Sequence, residues 1–183
     1  MIKFEKVPFD EYYESRLSVD LSLEDNETTY NKLSHEYHNI KLPTRGTAGS
    51  AGYDFFAPFT INLREPTADF MNRVEYHYKV IPTGIRWICD RKDVVLVCLP
   101  RSGLGFNYGT KLKNSAGIID CDYFKADNFG HIKLSIAAET NCTIEAGKGM
   151  MQGIIMPFIL TDDDTATADR VGGFGSTDKK ENN

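Results

Sequence analysis

Short apolar stretches with a period of two, closely spaced and without a helical pattern between them, limit what this chain can fold into. Val74, Tyr76, Tyr78 and Val80 recur at every second position, as do Ile85, Trp87 and Cys89, and again Ile132, Leu134 and Ile136. That spacing puts apolar side chains on one face of a strand. Val94 to Leu99 is continuously apolar and predicts a strand buried on both faces. Met150 to Leu160 is a second apolar run, with Pro157 marking an edge or bend. Pro82-Thr83-Gly84 is a turn signal. Many short strands in succession indicate an all-β domain: a sandwich, a jelly roll or a barrel.

The ends of the chain read differently. Residues 1–38 are polar, and Phe9, Tyr12, Tyr13 and Leu17 recur at helical spacing after Pro8, with Asp10 and Glu11 in the first turn. Tyr30, Leu33 and Tyr37 form a second, weaker stripe, and Leu23 to Thr28 reads as a loop. We expect a short helical N-terminal extension whose aromatic residues pack on a β-domain spanning residues 39–160. Residues 161–183 are acidic, then Gly-rich, then charged, and predict a mobile C-terminal arm.

A chain of 183 residues, 41% hydrophobic, is enough for one domain with an appendage. The net charge of −5, without a long basic block, argues against nucleic acid or an anionic membrane as the main partner. A small anionic substrate is still compatible where local Arg, Lys or a metal ion outweighs the global charge. Cys89, Cys98, Cys121 and Cys142 form no CxxC pair, which argues against zinc, and scattered thiols fit a reducing cytoplasm. The N-terminus lacks an apolar signal core, and no run approaches the ~18 apolar residues of a membrane span.

Residues 114–123, Asn-Ser-Ala-Gly-Ile-Ile-Asp-Cys-Asp-Tyr, concentrate the candidate chemistry. A strand ending in Ile118-Ile119 would hold Asp120 at its tip on a rigid element, as a general base for water requires. Read alone, the same residues also make an ordinary β-turn. Other Gly-rich or polar stretches border strand candidates: Ala51-Gly52-Tyr53-Asp54, Pro100-Arg101-Ser102-Gly103-Leu104-Gly105, and Arg170 to Thr177. Gln152 lies inside an apolar run, where its amide needs a partner. Arg101-Ser102-Gly103 reads either as a turn with a surface cation or as phosphate donors. The 170–177 stretch reads either as a disordered end or as glycine amides beside Ser, Thr and Arg that hold phosphate. Neither is a P-loop, since Gly-Lys-Ser/Thr does not follow.

In order and spacing, these five stretches resemble the five motifs of the trimeric dUTPases, over about residues 39–178. The fourth is centred on Gly147 and Gln152. The resemblance implies a jelly-roll (distorted β-barrel) homotrimer with composite active sites at subunit interfaces. The implied reaction is Mg²⁺-dependent hydrolysis of dUTP to dUMP and pyrophosphate by water attack on the α-phosphorus, which keeps uracil out of DNA. Asp120 corresponds to the general base. Tyr123 corresponds to the ring under the deoxyribose, and Asn114, Gly117 and Ile119 to the hairpin that reads uracil. Arg101, Ser102, Gly103 and Gln152 match phosphate contacts. Asp54 matches the carboxylate that holds Mg²⁺ through water. Arg170, Phe174, Gly175, Ser176 and Thr177 match a lid that closes over the nucleotide from a neighbouring subunit.

Residues 124–129 interrupt the usual pattern after the tyrosine, as in phage and bacterial relatives, and are read as a loop outside the pocket. Lys148-Gly149 and Asp178 also depart from the family pattern, and residues 64–79 are longer than a minimal loop. A dCTP deaminase, or a bifunctional deaminase-dUTPase, would use a Glu where this sequence has Ser135. A trimeric binding or regulatory protein on the same fold is the remaining alternative. The extension and residues 64–79 are where its protein partner would bind, and the sequence names none.

Overall fold

The computed structural model describes residues 1–168 together with Arg170, Gly172 and Gly173. The chain runs β1 (Ile2–Lys6), α1 (Phe9–Val19), α2 (Glu27–His38), β2 (Thr44–Arg45), β3 (Gly52–Phe56), β4 (Ile61–Leu63), β5 (Thr67–Ala68), β6 (Val74–Glu75) and β7 (Lys79–Pro82). It continues through β8 (Ile85–Cys89), β9 (Val94–Pro100), α3 (Ser102–Tyr108), β10 (Lys111–Leu112), β11 (Gly117–Ile119), a 3-10 turn (Tyr123–Lys125), β12 (Lys133–Ala137), β13 (Cys142–Ile144) and β14 (Gly149–Pro157). The fold is mostly β, with two helices near the N-terminus. Among the described residues no helix is long and apolar enough to cross a membrane.

The largest sheet has the order β11-β9-β14-β3-β2, and a second has the order β10-β12-β7. Ile81, Leu134 and Ile136 of the second sheet join Phe55, Leu96, Cys98 and Met151 of the first in one buried core. Alternation accounts for β8, where Ile85, Trp87 and Cys89 are all buried. It also accounts for β12. It fails over 74–80. Val74–Glu75 pairs with Thr67–Ala68, and Tyr76 leaves the ladder to lie over the Lys111 ammonium, 3.5 Å from ring centroid to Nζ.

The expectation that Val94 to Leu99 is buried on both faces is also corrected. Val94, Leu96 and Cys98 are buried, whereas Val95 and Val97 are half-buried. Ile118, Val97 and Ile154 stand in register across β11, β9 and β14 on that outer face, and Ile118 is 59% exposed. Among the described residues no further layer covers this face.

The N-terminal residues join the core. Pro8 stands at the N-cap of α1, and Asp10 and Glu11 occupy its first turn, where acidic groups interact favourably with the positive end of the helix dipole. Phe9 packs on Tyr30 and Tyr37 of α2, and Val7 and Tyr12 enter the same cluster as Trp87 and Ile85. Arg16 is 3% exposed; its Nε donates to Glu36 at 2.8 Å and its guanidinium lies 3.8 Å from the Phe59 ring centroid. Strand β1 was not anticipated. Ile2 to Lys6 pairs antiparallel with β8, with Phe4 opposite Trp87 and Glu5 bonded to Arg86 at 2.7 Å. The stretch after Arg101 is a further correction. It holds two glycines and reads as a turn, yet it forms the short helix α3, ended at Gly109.

Candidate active site

Two clefts collect seven of the predicted site residues. The first has a volume of about 570 Å³ and is lined by Asn114, Gly117 and Ile119, with Lys113, Val80 and Ser135 among its other walls. The expected hairpin is not a ladder. β10 pairs with β12 and β11 with β9, so residues 113–116 form a turn that bridges two sheets, with Ser115 at φ 63°. The cleft opens between those sheets. Val80, Leu112 and Ile119 supply apolar walls, and Asn114, Lys113 and Ser135 supply polar groups. Such a lining suits a planar, polar ring. Among the described residues no carboxylate lines it.

The second cleft, about 430 Å³, is lined by Asp54, Arg101, Ser102 and Gln152 with residues 50–52. Gln152 stands opposite both Asp54 on β3 and Leu99 on β9. Arg101 Nε pairs with Asp54 at 3.1 Å. The guanidinium lies over Gly149, where any Cβ would collide with Nη1. Arg101 could keep this position only over a glycine. Gly103 points into open space from α3 and does not line the cleft. Arginine, hydroxyl and amide donors beside one carboxylate suit phosphate oxygens and a hydrated hard cation. The two clefts share no lining residue. β11 and β3 are separated by β9 and β14, which is about 14 Å at the usual inter-strand spacing.

A third group lies at the end of β11. Asp120 follows Ile119 directly, at the strand tip as expected, with its side chain 53% exposed. Arg170 returns from the arm to pair with both Asp120 and Asp122; its Nε donates to Asp122 Oδ1 at 2.8 Å. The same guanidinium lies 5.6 Å from the Tyr123 ring centroid. Tyr123 is 7% exposed, and burial raises its pKa, so the phenol stays protonated at neutral pH. It donates to the His131 carbonyl at 3.3 Å and accepts from Asn128 Nδ2 at 2.9 Å. Residues 124–129 line neither cleft, as expected, but Asn128 of that loop holds the Tyr123 hydroxyl. Phe174, Gly175, Ser176 and Thr177 lie outside the described residues.

Sequence reasoning missed Lys113, although it neighbours Asn114, and it missed the pairing of Asp122 with Arg170. It also missed Asn128 and His131. Nothing in the local pattern marks these last two, since their role arises where the loop folds back on Tyr123.

An antiparallel β fold with a partly apolar cleft, a cleft lined by Arg101, Ser102 and Gln152, and a carboxylate at a strand tip has the chemistry of a nucleotide-processing hydrolase. The family model described as dUTPase matches residues 38–177. The deoxyuridine 5'-triphosphate nucleotidohydrolase of Lactococcus lactis is 36% identical over 143 residues, covering 75% of this chain and 88% of the relative. The crystal structure of dUTPase from Streptococcus mutans superposes with a TM-score of 0.58 at 26% identity, covering 87% of this chain and 98% of that one. A mutant dUTPase from phage phi11 of S. aureus, described with a coordinated structural Mg(II) ion, shares the fold at 18% identity and a TM-score of 0.54, over 71% of this chain and 92% of that one. This chain belongs to the dUTPase family.

Proposed function

We propose that the protein hydrolyses dUTP to dUMP and pyrophosphate, with Asp120 as general base for water attack on the α-phosphorus. The observation that carries this reading is the position of Asp120, at the tip of the strand that walls the ring-sized cleft and within reach of the Arg170 guanidinium. Uracil enters beside Asn114, Gly117 and Ile119, where a narrow turn excludes the thymine methyl and fixed polar groups reject cytosine. Tyr123 lies under the deoxyribose. Arg101, Ser102 and Gln152 hold phosphate oxygens, with Gly103 at the edge of that group. Arg170 bridges two carboxylates in the free chain. On binding it exchanges them for triphosphate oxygens, which frees Asp120 to take the proton from water. Phe174 and residues 175–177 complete the lid.

The donor set fits Mg²⁺. Among the described residues no cluster of three or more His, Cys, Asp or Glu side chains could hold a metal. Mg²⁺ does not need such a cluster, because it keeps several waters and takes oxygens from the substrate. Asp54 would hold those waters. When bound, the ion neutralises charge on the triphosphate. This chain's residues orient the nucleotide, exclude bulk water and accept the proton.

The division of the motifs between two clefts and the uncovered row Ile118–Val97–Ile154 support a jelly-roll homotrimer with composite sites. The four cysteines are unpaired, which fits a cytoplasmic protein. Ser135 on the cleft wall, with no carboxylate beside it among the described lining residues, supports a hydrolase over a deaminase. The test is turnover of dUTP against dCTP with pyrophosphate followed. Rapid pyrophosphate release from dUTP alone is expected; deoxyuridine-nucleotide formation from dCTP would overturn the reading.

A further inference from the structure

The loop between Tyr123 and β12 folds back on the tyrosine. Its fold is closed by hydrogen bonds at each end of Asn128. The Asn128 carbonyl accepts from the His131 N–H at 3.0 Å, and Oδ1 accepts from the Gly130 N–H at 3.1 Å. With its acceptor used there, the amide nitrogen is left directed at the Tyr123 phenol, 2.9 Å away. Gly130 makes the fold-back possible. Its φ is +71°, and a Cβ there would lie 2.5 Å from the Phe124 Cα.

His131, whose carbonyl accepts the phenol O–H hydrogen bond, is itself anchored on two sides. Its Nε2 accepts from the Gly84 N–H at 2.9 Å, and its Nδ1 bonds the Glu11 carboxylate of α1 at 2.9 Å. It is fully buried. The phenol oxygen is therefore gripped from both sides, by a side chain of the loop and by a main-chain group that the N-terminal helix holds still. The arm reaches the same place, since a Cβ at Gly173 would lie 3.5 Å from Asn128 Nδ2.

We infer that Asn128 and the His131 carbonyl are the positioning groups that fix the Tyr123 ring and thereby set the discrimination of deoxyribose from ribose. This rests on the reading of Tyr123 as the wall that meets the sugar at C2′. The physical argument concerns stiffness. A wall that rejects a substrate by size is only as selective as it is rigid. A ring held at Cα alone can tilt about its side-chain torsions and make room for one oxygen. Tethering its far end removes that freedom. Residues 124–131 and the Glu11 anchor thus act together on specificity and not on the chemistry.

The experiment compares kcat/KM for dUTP and for UTP in the full-length protein and in Tyr123→Ala, Tyr123→Phe, Asn128→Ala and the Phe/Ala double variant. The relative use of UTP is expected to rise about tenfold in Asn128→Ala and in Tyr123→Phe, the scale of one badly fitted group in a pocket. The double variant is expected to rise no further than the larger single one, since both remove the same tether. An equal loss for dUTP and UTP in Asn128→Ala, with the ratio unchanged, would overturn the inference, because that is what a merely structural loop would do. If Asn128→Ala does not fold, an unchanged ratio in Tyr123→Phe overturns it equally. An unchanged ratio in Tyr123→Ala would remove the reading of Tyr123 itself, and the inference with it. A raised ratio in Tyr123→Ala alone would leave that reading standing and refute only the tether.

Discussion

Arg170 and Asp120 are an ion pair within one chain, although 50 residues separate them. The same guanidinium bonds Asp122 and covers the Tyr123 ring. The first described residue of the Gly-rich arm segment thus docks on the proposed base, and the carboxylates at the tip of β11 have two uses. They hold the arm in the free chain, and in the proposed mechanism Asp120 accepts a proton once a triphosphate has taken the arginine.

Asp120→Asn keeps the shape of the side chain but removes the proton acceptor. Turnover of dUTP should fall by about 10²–10⁴-fold, the usual weight of general-base catalysis. Calorimetric binding of a non-hydrolysable dUTP analogue should be retained or tightened, because a negative charge near the α-phosphate is gone. Asp122→Asn should cost much less turnover. The opposite order of effects would assign the base to Asp122.

Deleting residues 169–183 should leave the fold intact and nearly abolish turnover. Among the described residues none beyond Met151 belongs to the buried core, so the cut removes the Arg170 ion pairs but no core side chain. Thermal unfolding and dUTP turnover, measured on the same preparation, check both halves. Full activity in the truncated protein would show that the arm is dispensable.

Acid should weaken the anchor between α1 and β12. Burial alone would raise the Glu11 pKa, but bonds from His131 and Ser15 and the charge of Lys133 outweigh it and hold it at about 2. Burial lowers the His131 pKa, the Glu11 carboxylate opposing that only in part. Both pKa values lie below those of the unfolded chain, so the unfolded state binds more protons and stability declines as pH is lowered. The His131 contribution is intact above its ordinary 6.5 and is lost as pH falls below it; that of Glu11 is lost from 4.5 down towards 2. Urea midpoints between about pH 7.5 and 5 should decline in the wild type and flatten in His131→Gln. That variant should also lose roughly 1–3 kcal/mol at neutral pH from broken buried hydrogen bonds. A flat wild-type profile would contradict the assignment.

Val97→Glu tests the uncovered face. Val97 is half-buried in the single chain, so the substitution should cost the monomer fold little, within roughly 1 kcal/mol. A charge at the centre of the proposed trimer contact should dissociate it. Sedimentation should give three-chain mass for the wild type and one-chain mass for the variant. A fully active wild-type monomer would refute the shared site.

What the sequence by itself determined is local. The alternation at Ile85–Cys89 and Ile132–Ile136 specifies strands, because successive side chains on an extended backbone point to opposite faces. The Phe9–Tyr12–Tyr13 spacing after Pro8 specifies a helix, because residues three and four apart share a face. The motif order around Asp54, Arg101, Asp120, Gln152 and Arg170 pointed to the family and so to the chemistry. Only the tertiary structure decided where those groups stand. Residues 2–6 became a strand because β8 offered an open edge, and the Gly-rich stretch after Arg101 closed into a helix against its propensity. Val95 and Val97 were left on an uncovered face because no described element of the same chain packs there. Asn128 reached the Tyr123 phenol, and Arg170 reached Asp120, through folds of the backbone that no periodicity records. Contacts between residues far apart in sequence depend on the packing of the whole core, which a window of a few residues does not encode.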